Sequence, residues 1–180
     1  MDGVPVGDEL YQADVADDAK SRLSIRSATD ADVILFYRLR RAVAGVPGAT
    51  SELTPVTWEE HITWFTDRVA EIAQQRWVGG EVNGQPSGIV RLDQYPLYTA
   101  GVPLTFEWRV SLIIDPREQR KGYGMALLFM VPKPETGRIT ALIHPLNKAS
   151  QRTFTRAGYI EVGRDRADRD GWLIYERTLV

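Results

Sequence analysis

The chain has 180 residues, 43% hydrophobic and 26% charged, which is enough for one well-buried core and short for two. A formal net charge of −2 provides no global field to draw it onto nucleic acid or an anionic membrane, and the absence of cysteine excludes disulfides, thiolate metal sites and a cysteine nucleophile. His61 and His144 are the only histidines, and they lack metal-ligand spacing, so no metal site is expected.

Residues 1–21 mix Asp, Gly and Ala without periodicity and read as a flexible tail ahead of a single domain over 22–180. The acidic start is unlike a secretory signal and no apolar run approaches the ~20 residues that span a bilayer, so a cytoplasmic protein is expected. Leu23-Ser24-Ile25-Arg26 alternates as a half-buried strand does, and Thr29 or Asp30 offers an N-cap for a helix to about Val43. Residues 45–55 read as a loop. Thr57 and Glu60 form a capping-box signature ahead of a helix over 57–74.

Residues 76–82 and 87–93 are strand-like on either side of Asn83-Gly84, a hairpin dipeptide, and 105–114 is a third β-type run ended by Asp115-Pro116. A helix begins near Gly122. A short strand over 139–143, a helix over 147–157 closed by Gly158, and strands over 159–162 and 172–179 complete the series. The order β-α-α-β-β-β-α-β-α-β-β calls for an α/β (α+β) fold with a mixed sheet covered by helices.

The most informative stretch is 110–126, a strand followed by a basic turn and glycines at a helix start. Glycines let the backbone approach a ligand, and the first N–H groups of a helix point at an anion with the dipole behind them. Such a turn suits a phosphate, although a glycine-bearing connection that binds nothing is the competing reading. The P-loop spacing and the third glycine of a dinucleotide fingerprint are both missing.

Here the sequence resembles the GCN5-related N-acetyltransferase (GNAT) family, whose pyrophosphate loop Gln/Arg-x-x-Gly-x-Gly/Ala is matched by Gln119, Gly122 and Gly124. A second motif, with Asn147, Ser150, Phe154, Gly158 and Tyr159, is similar to the family's last helix. The resemblance covers about residues 23–179. It implies the GNAT fold, a mostly antiparallel mixed sheet of about seven strands with about four helices, and acetyl-CoA (coenzyme A) as cofactor. Implied cofactor-binding residues are Leu112, Ile113 and Ile114 on the strand, Gln119, Arg120, Lys121, Gly122, Tyr123, Gly124 and Met125 in the turn, and Asn147, Ser150 and Phe154 beyond it. Asn147 is also a good helix N-cap.

Two departures from the family bear on proton transfer. Phe154 stands where a thiolate-protonating Tyr is common, leaving water or Ser150 to deliver that proton. Arg109 stands where many relatives carry a basic Glu, with Glu107 two residues upstream on the same strand face and His144 as the other candidate base. Glu107 reads equally as an ion-pair partner of Arg109. The stretch 129–137 is short and Pro-bearing where relatives have a longer helix.

Trp58-Glu59-Glu60-His61-Ile62-Thr63-Trp64-Phe65 looks like the helix of a GNAT subgroup acting on amino groups of nucleotide-linked sugars. The resemblance therefore implies acceptor contacts from His61, Trp64 and Arg109, with Trp58 and Phe65 as core. The expected function is acetyl transfer to a primary amine of a small molecule, by direct attack in a ternary complex. The alternatives are a peptide or protein N-terminal acetyltransferase, which would want an acidic groove around Glu52, Glu59 and Glu60, and a non-catalytic acyl-CoA-binding module. A homodimer is compatible with this reading; nucleic acid and membrane are not expected partners.

Overall fold

The computed structural model describes residues 23–49, 55–70, 78–82, 84–99, 102–135, 137–165 and 171–179. The expected tail over 1–21, the helix end over 71–74, the strand start at Arg76, and Glu52 and Asn83 lie outside the described residues.

Strand β1 (Leu23–Ser27) alternates as its sequence demands. Its Arg26 grips Asp32 through two N–H···O bonds of 2.8 and 2.7 Å, and the same carboxylate accepts from the Thr29 N–H at 2.7 Å, so strand and helix are joined by one buried anion. Arg26 holds that carboxyl below its ordinary range. Helix α1 (Val33–Val43) follows directly. Helix α2 (Trp58–Ala70) opens on the expected capping box: Thr57 N–H donates to Glu60 at 2.8 Å and Glu60 N–H to the Thr57 hydroxyl at 3.2 Å.

The remaining elements are β2 (Val78–Val82), β3 (Gln85–Thr99), β4 (Val102–Ile114), α3 (Tyr123–Met130), β5 (Gly137–Ile143), α4 (Lys148–Arg156), β6 (Ile160–Asp165) and β7 (Trp172–Leu179). They form a seven-stranded sheet in the order β1-β2-β3-β4-β5-β7-β6, in which β4 and β5 are the parallel pair and the other neighbours are antiparallel. Among the described residues the strand and helix numbers are those the sequence led us to expect.

Period-two alternation gives the sheet two faces. Val90, Leu92, Val110, Ile139, Ala141 and Ile143 pack with α3 and α4 into the larger core. Ile89, Phe36, Leu39 and Phe65 form the smaller one beneath α1 and α2, with the Phe36 and Phe65 rings 5.3 Å apart, each contributing about 1.5–3 kcal/mol by burial. Residues alternating with the larger core, Arg91, Asp93 and Tyr95 on β3 and Glu107, Arg109 and Ser111 on β4, therefore share the face of the smaller core. That face carries the polar chemistry.

Helix α3 is short because Pro132 and Pro134 follow it, and the Lys133 ammonium donates to the Phe129 carbonyl at 2.9 Å, covering one of the carbonyls the truncated helix leaves open.

Candidate functional site

Parallel pairing between β4 and β5 consists of Trp108 with Ile139 and Arg109 with Thr140. Beyond Arg109 the two strands separate, while β4 stays laddered to β3 as far as Ile114. The β5-facing edge of 110–114 thus has no strand neighbour among the described residues, and an extended ligand can add to such an edge.

At the end of that edge the chain turns. Asp115 N–H continues the β3 ladder by donating to the Ser87 carbonyl at 2.7 Å, while the Asp115 carboxylate accepts from the Arg117 backbone N–H at 3.0 Å and from the Arg117 guanidinium at 3.0 and 2.8 Å. These bonds hold its pKa down at about 2. Gln119 folds back to donate to the Ile114 carbonyl at 3.2 Å. Arg120 and Gly122 then take left-handed φ values of 63° and 83°. This swings the chain so that the N–H groups of Tyr123, Gly124 and Met125 precede the first intrahelical bond, from Ala126 N–H to the Gly122 carbonyl at 3.1 Å. Nothing lies within 4 Å of a Cβ built on Gly122. The Tyr123 and Met125 side chains are buried, so those residues offer backbone alone to an anion.

Helix α4 supplies the opposite wall. Asn147 is its N-cap, accepting from Ser150 N–H at 3.0 Å, and its amide nitrogen donates to the Gly48 carbonyl at 3.1 Å. Both ends of the side chain expected at the cofactor are thus engaged within the protein. The His144 Nδ1 accepts from Leu146 N–H at 3.1 Å, so the neutral ring carries its proton on Nε2 and presents a donor rather than a base at that nitrogen. The Trp172 ring packs against it edge-on at 5.2 Å.

Between these walls lies a cavity of ≈ 290 Å³. Of the residues expected from the sequence, Leu112, Ile113, His144, Asn147, Ser150, Phe154, Trp64 and Arg109 line it. Ile114 and the turn residues Gln119, Arg120, Lys121, Gly122, Tyr123, Gly124 and Met125 are outside the lining, further along the β4 edge. Sequence reasoning missed Arg40, Arg91, Tyr95, Ser111 and Gly48, which also line it. The register that sets Arg91 opposite Ser111 brings two of them together, and counting alternation forward from Ile89 was the signal that would have found Arg91 and Tyr95.

Two expectations need correcting. His61 is fully buried and contributes nothing to the cavity wall: its Nε2–H donates to the Val33 carbonyl at 2.9 Å, and Nδ1 faces Arg40 at 3.5 Å. Arg40 in turn lies 4.2 Å over the Trp64 ring, so His61 positions groups that reach the cavity instead of reaching it. Trp58, expected in the core, is 39% exposed. Glu107 lies outside the lining as well; its Oε1 accepts from the Thr140 hydroxyl at 2.6 Å and sits 3.6 Å from Arg109, so both the ion pair and a held carboxylate are present.

The sequence matches no family model and no curated protein. Solved structures do match. A phosphinothricin acetyltransferase of the GNAT superfamily from Sinorhizobium meliloti, in complex with AcCoA, is similar at a TM-score of 0.69 and 19% identity over 88% of this chain and 89% of that one. A ribosomal-protein-alanine N-acetyltransferase from Brucella melitensis aligns at 0.67 and 19% identity, over 87% and 99%. An N-acetyltransferase from Staphylococcus aureus Mu50 aligns at 0.67 and 20% identity, over 88% and 99%. Identities this low speak to architecture: the strand order, the separated β4 and β5, and the glycine turn at the start of α3 give this chain the fold of the GNAT acetyltransferases.

Proposed function

We propose that this chain is an acetyl-CoA-dependent N-acetyltransferase acting on a primary amine of a small molecule by direct attack in a ternary complex. The observation that carries the reading is the succession along one strand: the Gly122 turn, the β5-facing edge of 110–114 with no strand neighbour among the described residues, and the cavity lined by His144 and Ser150. The turn's backbone N–H groups fit a pyrophosphate, and the β4 edge fits the amide-bearing arm of the coenzyme. Phe154 and Ser150 would flank the thioester end.

Bound acetyl-CoA supplies an activated acyl group. The amine nitrogen forms a C–N bond to the acetyl carbon as the C–S bond breaks, the nitrogen gives up a proton, and the leaving thiolate takes one. Glu107, fixed by Thr140 on the acceptor face, is the proposed base, reaching the amine through water since it lies outside the cavity lining. The His144 Nε2–H is suited to stabilising negative charge on the carbonyl oxygen, and Ser150 is the proposed proton donor to sulfur.

A peptide chain end finds less support. Glu59 and Glu60 are exposed on α2, Glu60 is occupied in capping Thr57, and neither lines the cavity. Calorimetry with acetyl-CoA and free-thiol release over an amine panel test the proposal together. Cofactor binding without thiol release on any amine would instead favour a non-catalytic acyl-CoA-binding module.

A further inference from the structure

Three guanidinium groups face this cavity from three elements, Arg40 of α1, Arg91 of β3 and Arg109 of β4, and among the described lining residues there is no Asp or Glu. Two carboxylates outside the lining orient two of the arginines: Asp93, 1% exposed, is 2.6 Å from Arg91, and Glu107 is 3.6 Å from Arg109. Aromatic faces hold two of the heads flat, Arg40 over Trp64 at 4.2 Å and Arg109 over Tyr95 at 4.6 Å. Stacking restricts the plane of a guanidinium and keeps its edge available for two-point contact with a planar anion. The Arg109 Nε–H is buried and has no hydrogen-bond partner among the described residues. A buried donor without an acceptor is costly, and a small rotation of the side chain towards the cavity would bring it to a ligand oxygen.

An acceptor amine arrives in water mainly as an ammonium, and a lining that presents guanidinium groups and no described carboxylate offers it no counter-charge. The same lining favours the neutral amine that must attack. An acceptor that carries its own oxyanion reverses the sign of the encounter while keeping that second benefit. Resting on the acetyl-transfer reading above, we infer that the acceptor is an amine bearing a carboxylate or phosphoryl group, and that Arg109, with Arg91 and Arg40, is its anion subsite.

Acceptor pairs that differ in the anion alone test this: an amino acid against its primary amide, and an amino-sugar phosphate against the free amino sugar. Each is read by free-thiol release and, separately, by calorimetric binding in the presence of coenzyme A. In at least one pair the anionic member should exceed its neutral partner by about tenfold or more in kcat/KM, since charge-assisted bidentate contacts are the strong ones. That advantage should shrink as salt is raised. Which pair shows it identifies carboxylate or phosphoryl as the source. Arg109→Gln should bring the ratio towards one; if that variant does not fold, Arg109→Lys, which keeps charge and loses the fork, and the salt dependence of the unmodified protein decide. Equal or reversed preference in both pairs, or efficient acetylation of a peptide amine lacking a nearby acid, overturns the inference. If nothing releases thiol, the transfer reading fails by itself, and the binding ranking still decides the subsite: tighter anionic members support it, and equal or absent binding overturns it.

Discussion

The Asn147 carboxamide donates to the Gly48 carbonyl at 3.1 Å, joining the N-terminus of α4 to the loop after α1 across 99 residues of chain. Gly48 has a φ of 79°, and a Cβ built there would stand 3.0 Å from the His144 Nδ1 and 3.1 Å from the Asn147 nitrogen. Asn147→Ala removes both the helix cap and the tie to the loop, and should cost about 1–2 kcal/mol in urea unfolding. Gly48→Ala should cost about 1–3 kcal/mol, from left-handed backbone strain plus the crowded contact. Both should raise the acceptor KM more than the acetyl-CoA KM. An acceptor KM that does not move would show that the loop bond is structural alone.

In the turn, Gly122 and Gly124 should respond differently. Gly122→Ala faces open space but must hold a φ of 83°, so it should lose roughly 1–2 kcal/mol and some cofactor affinity. A Cβ on Gly124 would meet Leu112, Ile114 and Thr153 atoms at 3.4, 3.6 and 3.7 Å, ordinary contact distances, so Gly124→Ala should be mild. Gly124→Glu must push a charged chain between β4 and α4, and should weaken acetyl-CoA by about tenfold or more through repulsion of the pyrophosphate. Unchanged affinity by calorimetry in a folded Gly124→Glu protein would misplace the cradle.

Local patterns were legible and long-range ones were not. The Thr57–Glu60 cap and the glycine turn depend on residues three to five apart, and the sequence displays them directly. His61 was misjudged because helical spacing tells which α2 residues share a face, not that α1 brings the Val33 carbonyl against that face. Arg40 and Gly48 enter the cavity through the packing of α1 and its following loop onto distant strands, which no spacing encodes. Asn147 was readable as a cap or as a ligand contact; the Gly48 bond was visible to neither reading.

Proton transfer can be tested at Glu107. Glu107→Gln keeps an acceptor for the Thr140 hydroxyl and loses basicity, so turnover should fall roughly 10²–10⁴-fold. The stability change should stay within about 1 kcal/mol, because the contact with Arg109 is long and partly exposed. Normal turnover across a pH series would remove Glu107 from the mechanism. Phe154→Tyr, at a 4% exposed position against the cavity, should raise turnover by supplying a phenol for the departing sulfur; no change would place the limiting step elsewhere.

Asp115 should make stability fall in acid. Its carboxyl sits at about 2 in the folded chain, below its ordinary 3.8, so its contribution is complete above the ordinary value and is lost as pH falls from there through about 2. Arg117 is 73% exposed, which solvent screens, so Asp115→Asn should cost only about 1 kcal/mol near neutrality. The gap between the two proteins in urea melts should be flat above about pH 5 and narrow below it. A gap that widens on acidification would contradict the assignment.

The two-pair junction between β4 and β5 makes the sheet mechanically two panels riveted at one spot, Trp108–Ile139 and Arg109–Thr140. A ligand lying in the gap would act as the missing rungs and stiffen the seam. Free protein should then let the panels exchange amide hydrogens at separate rates, with the 110–114 edge fast on its open side. Saturation with coenzyme A should slow that edge and draw the two rates together, giving the molecule a rigidity that its own backbone ladder does not provide.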